Sequence, residues 1–277
     1  MDIARHISAS IKTNPSLFEY MDSNNVPYED IHGIGVFDIL ESSPHWRNIS
    51  KMIDPDNPLC ICNTIYTQEE LDNAQWLMMR SVWYYGYPQP EGGEGFERIT
   101  YSAENFCKAC CSGLIQKDAF RIKKVPKWGK RHFVMLNWVS DEIFANDTVK
   151  ELLSNSGMTG FCFRDVYDKK GTVPLDGISQ IYIQNYLPYG LLADAGAIKR
   201  VTHCTECGIT KYLCSGRDSL KFKKEIFTNA PDIVKTSEKF GGEYHSGSKI
   251  IVSQRFYQFV MKNRLGSALE FKPIELH

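Results

Sequence analysis

The sequence lacks several features that assign a protein to a compartment or to a charged partner. No run of apolar residues approaches the length of a membrane-spanning helix, and residues 1–6 lack the basic and then apolar order of a signal peptide. Its 32 basic and 33 acidic residues are balanced, so composition gives no general electrostatic reason for binding nucleic acid or an anionic membrane. We therefore expect a cytoplasmic protein.

The motifs of common enzymes are absent as well. We find no His-Glu-x-x-His, no Gly-x-Ser-x-Gly, no Gly-x-x-x-x-Gly-Lys-Ser/Thr and no Gly-x-Gly-x-x-Gly. A Cys/His nucleophile pair that meets only in space stays open, because the chain has nine cysteines and seven histidines. We expect a protein without catalytic activity.

Two Cys-x-x-Cys pairs, Cys107/Cys110 and Cys204/Cys207, are the strongest motif present. Each pair places two thiolates one turn apart, and Gly208 after the second pair lets backbone amides turn toward the sulfurs. Four such ligands are what a structural Zn²⁺ needs, although the roughly 100 residues between the pairs exceed the spacing of common zinc fingers. The sequence therefore predicts a closed, structural zinc site.

Alternatives to this ligand set remain. One or both pairs could be metal-free thiols, and His203, Cys111 or Cys214 lie near enough in sequence to replace a ligand. Cys60 and Cys62 would share one face of a strand and could extend a metal site, although buried free cysteines are common.

Helical patterns dominate our interpretation of residues 1–95. Apolar spacing predicts a helix over about 3–11, a second begins with Pro15, and Thr67 and Glu70 form a capping box before a helix predicted over 69–85. That last helix is apolar on two sides, which indicates burial in the middle of the fold or one face offered to a partner. A turn at 54–58 and the proline and glycine residues of 87–95 complete the region.

The remainder, residues 96–277, repeats one order of elements in pseudo-repeats at about 101–170 and 198–277. Each begins with a cysteine knuckle, which is followed by a strand, a Val-Ser dipeptide, a helix and a last strand. The serine of the dipeptide, Ser140 or Ser253, is the predicted N-cap of the helix, which covers about 141–154 or 254–264. The predicted fold class is α+β: two similar strand–helix–strand units with zinc-knuckle cysteine pairs, preceded by a mostly helical N-terminal region. Two matching knuckles could meet at a pseudo-twofold axis and share one ion.

From about residue 66 onward the chain resembles the bacterial double-CXXCG motif family, which is related to toxin-immunity-protein-like domains. The resemblance rests on the two cysteine pairs with Gly208, Ala-Pro-Asp-Ile-Val at 230–234, Phe240-Gly241, Ile-Val-Ser-Gln-Arg at 251–255 and Leu-Glu-Phe-Lys-Pro-Ile at 269–274. It departs from the family at Cys111, which stands in place of a glycine. The resemblance implies a cytosolic bacterial protein without known catalysis, some of whose relatives neutralise a toxin by binding it.

Two functions from different classes follow. The first is an immunity protein that binds a cognate toxin through a scaffold stabilised by zinc. The alternative is a zinc-ribbon-like nucleic-acid-binding protein that uses lysine-rich strands beside the knuckles. For a partner-binding face the sequence offers one apolar and one acidic group of residues: Trp76, Met79 and Trp83, and Glu91, Glu94 and Glu97.

Overall fold

β-Strands are the main secondary structure of this protein. The computed structural model describes residues 1–53, 60–92, 95–193, 196–242 and 246–277. Strands account for 39% of the chain and helices for 20%, and the strands of the described residues form six sheets. The predicted α+β fold with a mostly helical N-terminal region is therefore wrong. No described helix has both the length and the apolar character needed to cross a membrane.

Contacts group the chain into two units, residues 1–70 with 215–219 and residues 71–214 with 220–277, which we call the small and the large unit. The domains predicted at 1–95 and 96–277, and the pseudo-repeats, stay predictions. The turn expected at 54–58 falls outside the described residues.

The small unit is an antiparallel sheet covered on one face by two helices, with strand order β2-β3-β1-β4. Its elements are β1 (Asp2–Ser10), α1 (Pro15–Ser23), β2 (Glu29–Ile31), β3 (Ile34–Leu40), α2 (Trp46–Met52) and β4 (Cys60–Ile65). Ile7 of β1 pairs with Phe37 of β3, and both pack against Leu17 of α1. The helix predicted to start at Pro15 is confirmed.

The helix predicted over 3–11 is wrong, because this segment is strand β1. Its isoleucines recur every four residues, at Ile3, Ile7 and Ile11, and four residues is close to one helical turn but is also two strand repeats. Burial alternates in the strand manner: Ile7 and Ala9 are buried, whereas His6 is exposed. Cross-strand pairing decided between the two periods.

The large unit contains the remaining elements, after a short helix α3 (Gln68–Asn73) that spans the division. Its first part consists of β5 (Trp76–Ser81), α4 (Gly95–Thr100), β6 (Tyr101–Ser102), β7 (Ile115–Gln116), β8 (Arg121–Ile122), β9 (Phe133–Leu136), β10 (Val139–Ala145), α5 (Asp147–Ser154), β11 (Phe161–Asp168) and β12 (Pro174–Ile183). The second part consists of β13 (Leu191–Leu192), β14 (Ile198–His203), β15 (Thr210–Cys214), β16 (Lys221–Phe222), a 3-10 helix (Lys224–Phe227), β17 (Ile233–Lys235), β18 (Lys239–Gly241), β19 (Ser246–Gly247), β20 (Ile250–Ser253), α6 (Gln254–Lys262), a 3-10 helix (Gly266–Ala268), β21 (Leu269–Pro273) and β22 (Glu275–Leu276).

The long helix predicted over 69–85 is also wrong. Thr67 and Glu70 do form the capping box, since each backbone N–H donates to the other side chain at 2.8 and 3.2 Å. The helix ends at Asn73, however, and the chain continues as β5, an inner strand of the sheet β17-β20-β5-β21. The two apolar sides are the two faces of this strand, which pack into different core clusters.

Two sheets of the large unit share one arrangement. In the sheet β8-β11-β12-β10-β9, strands β10 and β11 are joined through α5 and run parallel on either side of β12. In the sheet β17-β20-β5-β21, strands β20 and β21 are joined through α6 and run parallel on either side of β5. The helices α5 and α6 contribute to one core cluster. The sequence pattern did not reveal the two middle strands. β12 follows the β10-α5-β11 segment in the chain, whereas β5 precedes the β20-α6-β21 segment.

The N-caps of these helices were predicted with mixed success. Ser253 caps α6, its side chain accepting a hydrogen bond from the Phe256 backbone N–H at 3.2 Å. Ser140 lies inside β10, and α5 is instead capped by Asn146, which accepts from the Val149 N–H at 3.2 Å. The first helix therefore begins six residues later than the Val-Ser pattern indicates.

Candidate metal centre

The second cysteine knuckle is the turn between β14 and β15, whose last register pair is His203 with Thr210. The Cys204 backbone N–H donates to the Ile209 carbonyl at 2.9 Å, and the Gly208 N–H donates to the Cys204 carbonyl at 2.9 Å. Gly208 has a φ of 75°, the left-handed region that glycine enters with the least strain. The turn thus closes over Cys204 and Cys207.

The first knuckle lies between β6 and β7 and has the same closure. Here the Cys107 backbone N–H donates to the Ser112 carbonyl at 2.8 Å, again five residues along the chain. The position equivalent to Gly208 is Cys111, with a φ of 53°. Replacement of the glycine has therefore not changed the turn; Cys111 adopts the left-handed conformation instead.

The two knuckles bring their four sulfurs together. Cys107 Sγ lies 3.8 Å from Cys204 Sγ, and Cys110 Sγ lies 3.6 Å from Cys207 Sγ. All four sulfurs are within 4.8 Å of one another. A regular tetrahedron with metal–sulfur bonds of about 2.3 Å has sulfur–sulfur edges of about 3.8 Å. The four cysteines can therefore hold a metal ion in the geometry that thiolate ligands prefer.

Hydrogen bonds and neighbouring thiols act on the sulfurs in opposite directions. Backbone N–H groups of Cys207 and Glu206 donate to the Cys204 sulfur and lower the pKa of Cys204 to about 7. At Cys207 the Ile209 N–H also lowers the pKa, but loss of some solvent around the sulfur and the thiols of Cys110, Cys204 and Cys107 outweigh it and raise the pKa to about 12. Four close thiols cannot all ionise, because thiolates repel one another; a divalent cation removes that repulsion.

Lys211 is a neighbour of the cysteine cluster that the sequence did not identify. It is 3% exposed, and its Nζ donates a hydrogen bond to the carbonyl of Cys110 in the other knuckle. If a divalent cation were bound, the ammonium would offset part of the net charge of −2 that four thiolates and that cation would carry. Nothing local distinguishes Lys211 from the other lysines of the chain, because its burial results from the contact between the two hairpins.

The other candidate ligands do not join this cluster. All nine cysteines are free, but the four from the knuckles make up the one group of potential ligands among the described residues that is close enough to hold an ion. The His203 ring contacts Thr210 Oγ1 at 3.2 Å, Cys111 Sγ points to the Lys108 carbonyl at 3.9 Å, and Cys214 lies further along β15. Cys60 and Cys62 lie on β4 of the small unit.

The residues predicted to bind a partner are dispersed. Met79 is 1% exposed in the core, so it offers no surface, and the helical face to which it was assigned does not exist. Trp76 is half-buried against Phe227, and Trp83 is half-buried against Trp128 and Arg131. Glu94 falls outside the described residues.

The remaining acidic residues of that group lie on either side of α4's start. The carboxylate of Glu91 accepts hydrogen bonds from Gln89 and pairs with Lys123 at 2.8 Å, and Glu97 lies in α4. The nucleic-acid alternative relies on lysines of strands beside the knuckles, and two of these, Lys123 and Lys221, have carboxylate neighbours: Lys123 pairs with Glu91, and Lys221 lies 3.9 Å from Glu275. This weakens the nucleic-acid alternative, because paired lysines attract phosphate less.

No protein-family model matches the chain, and no curated protein matches it either. The resemblance to the double-CXXCG family therefore rests on the quoted residues alone and stays a prediction.

Proposed function

We propose that the chain is a non-enzymatic zinc protein, in which one Zn²⁺ bound by Cys107, Cys110, Cys204 and Cys207 clamps the two knuckle hairpins of the large unit. The observation that supports it is the approach of four sulfurs to within 4.8 Å from two segments 97 residues apart. Zinc is the ion that four thiolates in tetrahedral geometry most often hold, with iron as the main competitor. A site with four protein ligands has no open position for a substrate, which favours a structural role.

The test is metal analysis of the purified full chain. We expect one zinc per chain, and Co²⁺ in its place should show the charge-transfer bands of thiolate ligands. Cys207→Ser should lose the ion and those bands, whereas the matched variant Cys111→Ser, one residue beyond the first knuckle pair, should keep both. A metal content well below one ion per chain contradicts the proposal, as does a Cys111→Ser variant that loses the metal as completely as Cys207→Ser.

We further propose that the clamped scaffold acts in the cytoplasm as an immunity protein that neutralises a toxin by direct binding. The support is the resemblance of the cysteine pairs and of segments 230–234, 251–255 and 269–274 to the double-CXXCG family. Among the residues that the structure describes, the predicted partner residues that keep accessible surface are Trp76, Trp83, Glu91 and Glu97.

Co-expression with toxins encoded beside its gene tests this role. Protection of the cell and co-purification of the toxin are the expected results, and they should survive Cys111→Ser but not Cys207→Ser. If no neighbouring toxin is neutralised and no protein co-purifies, the immunity role is excluded while the zinc site stands on its own metal analysis.

A further inference from the structure

The large unit contains a cavity of about 310 Å³ beside the first knuckle, whose residues Cys111, Ser112 and Gly113 form part of its wall. Small-molecule sites in proteins have volumes of about 300–1,000 Å³. The cavity is therefore large enough for a small ligand or for one side chain of another protein.

Aromatic rings form much of the remaining wall. Phe96, Tyr101 and Trp138 line it, and the rings of Phe96 and Trp138 are stacked, with centroids 6.3 Å apart and planes at 23°. Tyr87 packs against Trp138 with centroids 4.5 Å apart. Trp138 is held between neighbouring rings and is still 51% exposed, so indole surface remains available to a ligand.

The position of Trp138 is unfavourable for its own backbone. It lies in the two-residue turn that joins β9 to β10, and its φ is 68°. Left-handed backbone is disfavoured for a bulky residue, and glycine or asparagine is the usual choice there. Backbone strain at an exposed aromatic residue, where solubility also favours a polar one, is typical of functional sites.

The charge of the cavity is negative. Glu97 and Asp141 line it, and neither carboxylate has an ion pair or hydrogen bond with any residue that the structure describes. Lys239 is the one basic residue of the wall, and its Nζ donates to Ser248 Oγ at 3.0 Å. Among the described residues that line the wall, two carboxylates stand against this one ammonium, and Asp141 also attracts the neighbouring Lys235.

The Tyr101 phenol responds to the same field. Burial raises its pKa well above the usual range, and the carboxylates of Glu142, Asp141 and Glu97 raise it further. Each of these carboxylates disfavours a phenolate because it is itself negative. The carboxylates of the wall therefore act on the interior of the cavity and not only on its rim.

We propose that this cavity is a binding site for an organic cation carrying an ammonium, quaternary ammonium or guanidinium group. Such a cation is attracted to aromatic rings and to carboxylates, and the wall offers both kinds of group, with Trp138 as the exposed ring. The cation could be a free small molecule or a lysine or arginine side chain of a protein. The proposal depends neither on the identity of the metal nor on the immunity role.

The first test compares a cation with its neutral shape match on the purified full chain. Choline should bind, measured by calorimetry and by shifts of the Trp138 indole N–H in NMR spectra, and 3,3-dimethyl-1-butanol should bind at least about 5-fold more weakly. Equal binding of the two would show an apolar cavity and overturn the proposal.

Three variants locate the binding. Asp141→Asn, Glu97→Gln and Trp138→Leu should each weaken choline binding by roughly 3- to 10-fold. The first two remove a negative charge at nearly constant volume, and the third removes the indole ring and keeps an apolar side chain. Glu151→Gln on the exposed side of α5 and Tyr189→Leu at an exposed loop are the matched controls and should bind like the parent protein. Circular dichroism and metal content show that each variant is folded. Trp138→Leu changes an exposed turn, so it remains informative if Asp141→Asn fails to fold.

A second set of titrations distinguishes a free small cation from a side chain of another protein. The blocked peptide acetyl-glycyl-arginyl-glycinamide and free guanidinium are titrated in the same way. Binding of the peptide with loss in Trp138→Leu indicates a protein side chain, and binding of choline alone indicates a free small cation; both support the site. Absence of binding for choline, guanidinium and the peptide overturns it.

Discussion

In the first knuckle the left-handed position after the second cysteine is held by Cys111, whereas in the second knuckle it is held by Gly208. Both turns nevertheless close with a hydrogen bond from the first cysteine to a carbonyl five residues later. Their surroundings differ more: Cys107 and Cys110 are buried, Cys204 is half-buried and Cys207 is exposed. The positions of the cysteines are thus set by the closure of the turn, and not by one residue type or by burial.

The strongest challenge to this comparison is the loss of one ligand from each knuckle. If a shared ion joins them, Cys107→Ser and Cys204→Ser should lower the melting temperature of the metal-loaded protein by about the same amount, on the order of 10 °C or more. The reason is that either change releases the same ion. Differential scanning calorimetry measures both.

Treatment with a chelator separates the effect of the ion from that of packing. A chelator should destabilise the parent protein by a similar amount and should have almost no further effect on either variant. If the buried Cys107 proves much more important than the half-buried Cys204, the stabilisation comes from packing of the first knuckle and not from a shared ion.

Lys211→Met tests the contact between the knuckles. Its ammonium begins in the β15 hairpin and donates to the Cys110 carbonyl of the first knuckle, so its removal leaves that carbonyl without this donor and leaves the anionic cluster less compensated. We expect the metal affinity to be about 10-fold lower, which is the usual effect of losing a residue that hydrogen-bonds to a metal-binding residue. Competition with a colorimetric chelator measures it.

Lys108→Met is the matched control for charge. Lys108 lies inside the first knuckle but is exposed, so solvent and salt screen it. An equal loss of affinity in the two variants would show a general effect of net charge and would contradict a specific role for Lys211.

The smallest expected effects concern the left-handed positions themselves. Gly208→Ala should destabilise the large unit by about 1 kcal/mol, because alanine is strained at a φ of 75°. The added methyl group meets no atom within 4 Å, so no steric clash adds to this cost. Cys111→Gly should stabilise the protein by a similar amount. The control Gly242→Ala should be near neutral, because position 242 has as much space and no positive φ. Urea denaturation resolves differences of this size; an equal effect of Gly242→Ala would show that backbone conformation is not the cause.

Sequence motifs predicted the structure correctly where the interacting residues lie within one turn of each other in the chain. The capping box of Thr67 and Glu70 and the N-cap Ser253 satisfy backbone donors three residues away, so neighbours in sequence determine them. The Cys-x-x-Cys spacing likewise presents two sulfurs within one turn. These features need no knowledge of the rest of the fold.

Apolar periodicity failed where two periods coincide. Residues 76–83 are apolar on two sides, and this suits a buried helix as well as an inner strand. Strand β5 is an inner strand because β20 and β21 pair with its two edges, and both come from more than 150 residues further along the chain. The same applies to β1, where pairing with Phe37 and Cys60 selects the strand period.

The amino-acid sequence alone specifies four thiol ligands in two turns, their chemistry toward a soft divalent ion, and the caps of individual helices, because these depend on residues within a few positions of one another. Tertiary structure decides that the two turns meet, that Lys211 is buried against Cys110, and that Phe96, Trp138 and Asp141 enclose a common cavity. Each of these needs segments far apart in the chain to be brought together. That depends on which strands pair, a competition among many long-range contacts that no local pattern encodes.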